Sequence, residues 1–188
     1  MTDAARNLHQ TFALRNGAAA VVRAIRPDDR ARLQAAFLAL EPESVYLRYF
    51  SYKHELSEAD LDRLCAPDFR ERVVLVVTQA APSGEIIVGS GGYVAHTGAD
   101  GVRAAEVAFA VEEDVQGQGI SGRLIDVLAE LARADGIARF EAEVLARNTA
   151  MLRVFERSGL PMTVEPEGSG VVRLRLSLLN ASPATASR

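Results

Sequence analysis

Apolar positions along the chain switch between a period of two and a period of about three and a half, and the switches mark out the elements. Residues 11–15 and 18–26 flank Asn16-Gly17, the pair that most favours a tight two-residue turn, so a β-hairpin is predicted there. Pro27-Asp28-Asp29 opens a helix, since proline suits the first turn and acids complement the dipole. Leu33, Ala36, Phe37 and Leu40 recur on one face of it. Glu41-Pro42 stops it, because the residue before proline avoids the helical region. A second helical piece runs from Glu43 to about Phe50. A third opens at Ser57-Glu58-Ala59-Asp60, close to a capping box, with Leu61, Leu64 and Cys65 as its buried face.

The second half alternates strand and helix. Arg72 to Gln79 reads as a buried strand. Pro82-Ser83-Gly84 turns the chain into a strand from Glu85 to His96, with Gly89-Ser90-Gly91-Gly92 inside it. Thr97 to Gly101 turns it again into Val102 to Val111. A helix from Ile120 to Ala134 carries Leu124, Ile125, Leu128 and Leu131 on one face, and Gly136 is its expected C-cap. Ala138 to Leu145 is a strand and Asn148 to Ser158 a short helix. Val164 and Val171 to Leu178 supply one or two closing strands. The expected organisation is a flexible N-terminal tail over 1–10, a single domain over 11–179 and a flexible C-terminal tail over 180–188.

Composition narrows the class. The chain has 188 residues, a net charge of −4 and 48% hydrophobic residues, the balance of one ordinary globular domain. The acidic balance argues against a nucleic-acid binder and suits an amine-bearing partner. Cys65 is the one cysteine, so no internal disulfide or thiolate cluster is possible. No metal-ligand spacing is present. The first ten residues lack the apolar core of a signal peptide, and no apolar run reaches spanning length, so a cytoplasmic protein with no membrane contact is expected. Every basic residue but Lys53 is arginine, as codon bias would produce.

The chemistry concentrates in Val115-Gln116-Gly117-Gln118-Gly119-Ile120-Ser121-Gly122, glycines and free amides just ahead of a helix, which make a seat for phosphate groups. Gly117-x-Gly119-x-x-Gly122 also satisfies the dinucleotide fingerprint, and Glu141 and Glu143 lie where a ribose-binding acid is expected. Against that reading, Glu112-Glu113-Asp114-Val115-Gln116 separates the motif from its strand. Glu106 interrupts a strand that a doubly wound sheet would bury on both faces. The motif also starts too late in the chain to leave room for such a sheet.

Gln116-x-x-Gly119-x-Ser121 closely resembles the Gln/Arg-x-x-Gly-x-Gly/Ala signature of the GNAT superfamily of N-acetyltransferases. The resemblance extends to Ala105-Glu106-Val107-Ala108-Phe109-Ala110-Val111 before it, and to Arg147-Asn148-Thr149-Ala150-Met151 and Phe155-Glu156-Arg157-Ser158-Gly159-Leu160 after it. It covers about residues 20–178. Glu43 to Phe50 and Leu56 to Leu61 look most like the GNAT domains of bacterial protein lysine acetyltransferases. The fold this implies is the α/β GNAT fold, a central mixed, mostly antiparallel sheet with a splayed parallel strand pair, flanked by helices.

The resemblance implies an enzyme that transfers acetyl from acetyl-CoA to a primary amine, a protein lysine or a small molecule, in a ternary complex. The pyrophosphate would rest on Gln116, Gly117, Gln118, Gly119, Ile120, Ser121 and Gly122. The pantetheine arm would pair with Phe109, Ala110 and Val111, and an amide of that strand would polarise the thioester carbonyl. Asn148 would contact the arm, and Met151 and Phe155 would line its slot. Glu106 matches a glutamate that acts as general base in lysine-acetylating relatives; its other reading is an exposed residue on an alternating strand. Tyr46, Tyr49 and Tyr52 recur at helical spacing, and Tyr46 and Tyr49 are expected at the acceptor wall, with core packing as the alternative.

Two positions depart from the pattern. Ser121 replaces a glycine or alanine. Phe155 stands where many relatives carry the tyrosine thought to protonate the departing thiolate, and phenylalanine has no proton to give. Tyr93 is the candidate to replace it. Phe155 also supports a second reading, a GNAT domain that binds acyl-CoA as a sensor without efficient turnover. Arg48 reads as a structural ion-pair partner, His54 and His96 as isolated, and Cys65 as inert packing. A homodimer is an option that the sequence leaves open.

Overall fold

A computed structural model describes residues 2–179; the tail expected over 180–188 lies outside the described residues. The elements are α1 (Thr2–Arg6), β1 (His9–Ala13), β2 (Ala19–Ala24), α2 (Arg30–Ala39), α3 (Pro42–Tyr49), α4 (Glu58–Cys65), β3 (Arg72–Ala81), β4 (Gly84–Thr97), β5 (Arg103–Val111), α5 (Ile120–Ala134), β6 (Arg139–Leu145), α6 (Thr149–Arg157), β7 (Met162–Gly168) and β8 (Val171–Ser177). The N-terminal segment departs from expectation. Residues 2–6 form a helix with Ala5 buried, and β1 already begins at His9. Ala5 and Leu8 reach apolar surface that a solvated tail would have left open.

The eight strands form one sheet in the order β1-β2-β3-β4-β5-β6-β8-β7. Every adjacent pair is antiparallel except β5 and β6. This is the mixed, mostly antiparallel sheet that the sequence predicts, and it removes the doubly wound parallel alternative.

Helices cover both faces. On one side α5 buries Ile120, Leu124, Ile125, Val127, Leu128, Ala129 and Ala132 against the sheet, each large side chain contributing about 1.5–3 kcal/mol. Gly91 leaves the space that this packing needs, for a Cβ there would lie 2.6 Å from the Phe109 ring. On the other side α2 lays Leu33 and Phe37 over β4. The capping box at Ser57 and Asp60 that the sequence predicts is present, with the Asp60 amide donating to the Ser57 hydroxyl at 3.2 Å.

The β1–β2–β3 edge is pinned by a buried ion network. Arg23 donates to Asp29 at 2.7 and 2.8 Å and to Glu85 at 2.8 and 3.2 Å. Arg23 and Asp29 are 1% and 0% exposed, so neither charge has water to fall back on. Burial alone would push the Asp29 carboxyl up; the bonds from Arg23 and the Arg26 amide outweigh it and hold it below the ordinary range.

Candidate active site

Strand β5 organises the site, because its alternate residues face opposite sides of the sheet. Val107 and Phe109 point toward α5, where both are buried. Glu106, Ala108 and Ala110 point toward the α2–α4 layer. β5 pairs with β6 only through Ala104 to Glu106, opposite Arg139 to Glu141. Beyond Glu106 the strands part, and the β6-facing backbone of Phe109, Ala110 and Val111 is left without a strand partner.

A cleft of about 750 Å³ occupies that gap. It runs between β5 and β6 to the start of α5, and α3 and α6 close its sides. Asn148, Met151 and Phe155 line it, as do Gln116, Gly117, Gly119, Ile120, Ser121 and Gly122. Positive φ angles of 72° at Gly117 and 94° at Gly119 make the turn that exposes the start of α5, a conformation side chains disfavour. The first amide of this helix to bond a backbone carbonyl is that of Arg123, on Gly119. The amides of Ile120, Ser121 and Gly122 therefore stand free at the positive end of the dipole.

Several expected side chains take roles other than direct lining. Gln116 turns back and donates to the Val111 carbonyl at 3.1 Å, closing the loop onto the strand end. Gln118 does not line the cleft: its Oε1 accepts from the Asn16 amide at 3.0 Å. Asn148 spends its Oδ1 capping α6, accepting from the Met151 amide at 3.1 Å. None of the acids between β5 and α5 lines this cleft, so they do not oppose a phosphate. Glu112 faces the other cavity, and both Glu113 carboxylate oxygens are buried without a hydrogen-bond partner.

One contributor has no signal in the sequence. Arg15, on the turn between β1 and β2, donates its NH1 to the Gly117 carbonyl at 2.8 Å and its backbone amide to the Gln118 carbonyl at 3.2 Å. A trans peptide sends its C=O and N–H to opposite sides. The bond to the Gln118 carbonyl therefore fixes the orientation of the Gln118–Gly119 peptide at the entry to α5. Arg15 itself borders the cleft, so it brings a cation as well as a brace. Arg15 and Gly117 are 102 positions apart, beyond the reach of local pattern.

A second cavity of about 400 Å³ lies on the other face of the sheet, under α2 and α4. Its floor is made of small residues, Ser90 and Gly92 on β4 beside Ala108 and Ala110 on β5. Leu33, Phe37 and Tyr49 roof it. Glu106 and Arg48 border both cavities. Glu106 is exposed, a carboxylate where the two spaces meet.

The tyrosines do not act together. Tyr49 reaches the second cavity and packs edge-on to Phe37 at 5.7 Å. Tyr46 lines neither cavity; it stacks on Tyr52 at 4.8 Å and lies under the Arg147 guanidinium. Arg147 also pairs with Glu43, tying α3 to the turn before α6. α3 ends at Tyr49 with Phe50 left-handed, so Tyr52 cannot continue the helical face. Arg48 lies over the Tyr49 ring at 4.8 Å instead of forming the ion pair expected of it.

Tyr93 points its hydroxyl elsewhere than the expected acid role requires. It is 1% exposed, stacks near Phe140 and directs its hydroxyl at Asp135. Burial, then the Asp135 charge, pushes its phenol up. Its partner across the ladder is Val107, so it faces away from Glu106. Its hydroxyl is therefore not the missing acid, although the residue itself borders the second cavity. Phe155 is buried against Phe109 at 5.8 Å, and the described residues lining the cleft include no tyrosine, histidine or cysteine.

Comparison with known proteins agrees with this geometry. The model of the acetyltransferase (GNAT) family matches residues 37–160. The acetyltransferase Pat of Mycolicibacterium smegmatis is 32% identical over 148 residues, 78% of this chain but 42% of Pat, so the chain spans less than half of that relative. The crystal structure of the GNAT domain of S. lividans PAT superposes with a TM-score of 0.79 at 35% identity, covering 90% of this chain and 96% of that one. A more distant structure, yncA from Salmonella typhimurium, solved with acetyl-CoA, shares the fold with a TM-score of 0.66 at 18% identity, covering 88% and 98%.

Proposed function

The chain belongs to the GNAT family of acetyltransferases, and we propose that it moves acetyl from acetyl-CoA to a primary amine that enters by the cavity beneath α2. The carrying observation is the parting of β5 and β6 past Glu106, which opens a path from a carboxylate to the free amides of α5. That path suits an extended group with phosphates at one end and a reactive carbonyl at the other. When bound, acetyl-CoA supplies a thioester-activated acetyl group, whose C–S bond gives way to a C–N bond on the amine.

This chain's residues have separate tasks in that reading. The amides of Gly119, Ile120, Ser121 and Gly122 hold the pyrophosphate, with the Arg15 cation beside them. The strand edge of Phe109 to Val111, which β6 leaves open and where Gln116 holds the Val111 carbonyl, offers strand-like hydrogen bonds to the arm, and Asn148, Met151 and Phe155 pack along it. An amide on this edge polarises the acyl carbonyl. Glu106 takes the proton that an ammonium sheds before it can attack, directly or through water. Phe155 has no proton to give and the Tyr93 hydroxyl is directed at Asp135, so neither would protonate the departing sulfur, which would take its proton from water. A thiol's ordinary pKa of about 8.5 makes that departure acceptable.

The sensor reading keeps one specific support, that the described residues lining the cleft include no tyrosine, histidine or cysteine. Heat-unfolding shifts with acetyl-CoA, CoA and NADH, followed by thiol release against a panel of amines, separate the readings. Stabilisation by both CoA species with amine-dependent thiol release is expected. Stabilisation without release on any amine favours the sensor, and a shift with NADH alone overturns both. Among the described residues no helix is long and apolar enough to cross a membrane.

A further inference from the structure

We propose that the acceptor is a small zwitterion, an amine that also carries a carboxylate, with its amine at Glu106 and its carboxylate at Arg72. This rests on the acetyl-transfer reading and assigns the substrate class of that same site.

The sheet register places the two residues in one row. Arg72 pairs with Val94, and Val94 pairs with Glu106. All three therefore face the second cavity, and two strand spacings, about 10 Å, separate the outer backbones. Both end residues have long side chains that can close on a molecule between them. Neither side chain is held in an ion pair: among the described residues the Arg72 guanidinium has no salt-bridge partner, its backbone amide alone donating to Asp68 at 2.9 Å, and Glu106 has no basic one, while both border the cavity. The nearby acid that could have quenched a cation, Asp60, is already taken by Lys53 and the Ser57 hydroxyl, and these bonds hold it down to about 2.

Charge balance points the same way. Arg48, Arg63 and Arg72 border this cavity against Asp60, Glu106 and Glu112. A site for a polyamine or other polycation would carry an excess of acids; this one carries equal numbers of each sign. A protein lysine would bring an ammonium on a thin methylene stem and leave Arg72 unmatched. Between the charges lie the small floor of Ser90, Gly92, Ala108 and Ala110 and the apolar roof of α2, which suit an acceptor with an apolar body. The volume of about 400 Å³ lies within the usual range for small-molecule pockets, about 300–1,000 Å³.

The experiment compares matched acceptors at saturating acetyl-CoA, reading thiol release: phenylalanine against phenethylamine, 6-aminohexanoate against hexylamine, with spermidine and a terminally blocked lysine peptide beside them. At least one zwitterion should exceed its matched monoamine in kcat/KM by about tenfold or more, the worth of one charge-assisted hydrogen bond. Arg72→Gln should erase that advantage through KM for the zwitterion, leave KM for acetyl-CoA and rates with monoamines unchanged, and Arg72→Lys should restore part of it. The proposal is overturned if the monoamines match the zwitterions, if spermidine or the lysine peptide is preferred, or if Arg72→Gln affects all acceptors alike. Binding of acetyl-CoA with no turnover of any amine sinks the acetyl-transfer reading itself, which is a different result from turnover without charge preference.

Discussion

Glu106 on β5 and Glu141 on β6 are the last residues held in register before the two strands part. Their side chains share one face of the sheet but have different company. Glu141 is bound by Arg139 at 2.7 Å, with Arg175 and His96 beyond. Among the described residues Glu106 has no such partner, and it opens onto both cavities. Of two neighbouring acids one is thus engaged by arginines, and the other faces open space.

Replacing Glu106 by Gln should lower kcat by about 10²–10⁴-fold, the usual worth of a positioned base. The Kd for acetyl-CoA, measured by calorimetry, should stay nearly constant, since no amide of the phosphate seat is touched. Unchanged turnover at saturating acceptor would show that Glu106 is only an exposed strand residue.

Arg15→Ala removes the side-chain bond to Gly117 and the cation beside the seat. A rise in Kd for acetyl-CoA of about threefold to tenfold is expected, the range of one charge-assisted bond at a solvent-exposed site. S-acetylpantetheine, which lacks the pyrophosphate, provides the control. Its KM should not respond, and an equal loss with both donors would mean that the hairpin turn acts elsewhere.

Tyr93→Phe should leave kcat and its pH profile unchanged, because the hydroxyl faces Asp135 on the far side of the sheet. The bond is long at 3.5 Å, so the loss of stability should be no more than about 1 kcal/mol. A marked fall in kcat with an intact melting temperature would return this tyrosine to the reaction.

Arg23→Met strands Asp29 as an unpaired buried charge and should cost about 3–5 kcal/mol, readable in urea unfolding. The network also sets a direction with pH. The folded protein lowers both carboxyls: the bond from Arg23 leads at Glu85, and at Asp29 the bonds from Arg23 and Arg26 outweigh the opposing effect of burial. Their contribution is therefore present above the ordinary carboxylate range and lost as pH falls through the lowered folded values. The acid limb of stability should flatten in the variant; an unchanged limb would place the acid sensitivity in other groups.

Local pattern carried the reading of the sequence far where neighbours in the chain determine structure. The bounds of α5, the capping box at Ser57 and the glycine turn ahead of α5 all depend on residues a few positions apart. It stopped where a distant partner decides. Tyr93 looked available because its face depends on pairing with Val107, a register that neither strand states alone. Gln118 sits inside the expected motif, yet a turn 102 positions earlier claims its side chain. Arg72 lay at the start of an apolar run, and only the row through Val94 brings it opposite Glu106. The helix at residues 2–6 was missed because five residues are too few to show a period.

The alternation along β5 has a consequence for how this chain can vary. Phe109 packs toward α5 on one side while Glu106, Ala108 and Ala110 line the second cavity on the other. Loss or gain of one residue within 105–111 would exchange these assignments, sending a carboxylate into hydrocarbon and an aromatic ring into the acceptor path. Point changes at Ala108 or Ala110 would merely resize the space for the amine. Sequences descending from this one should therefore diversify here by substitution, and keep the length of this strand constant.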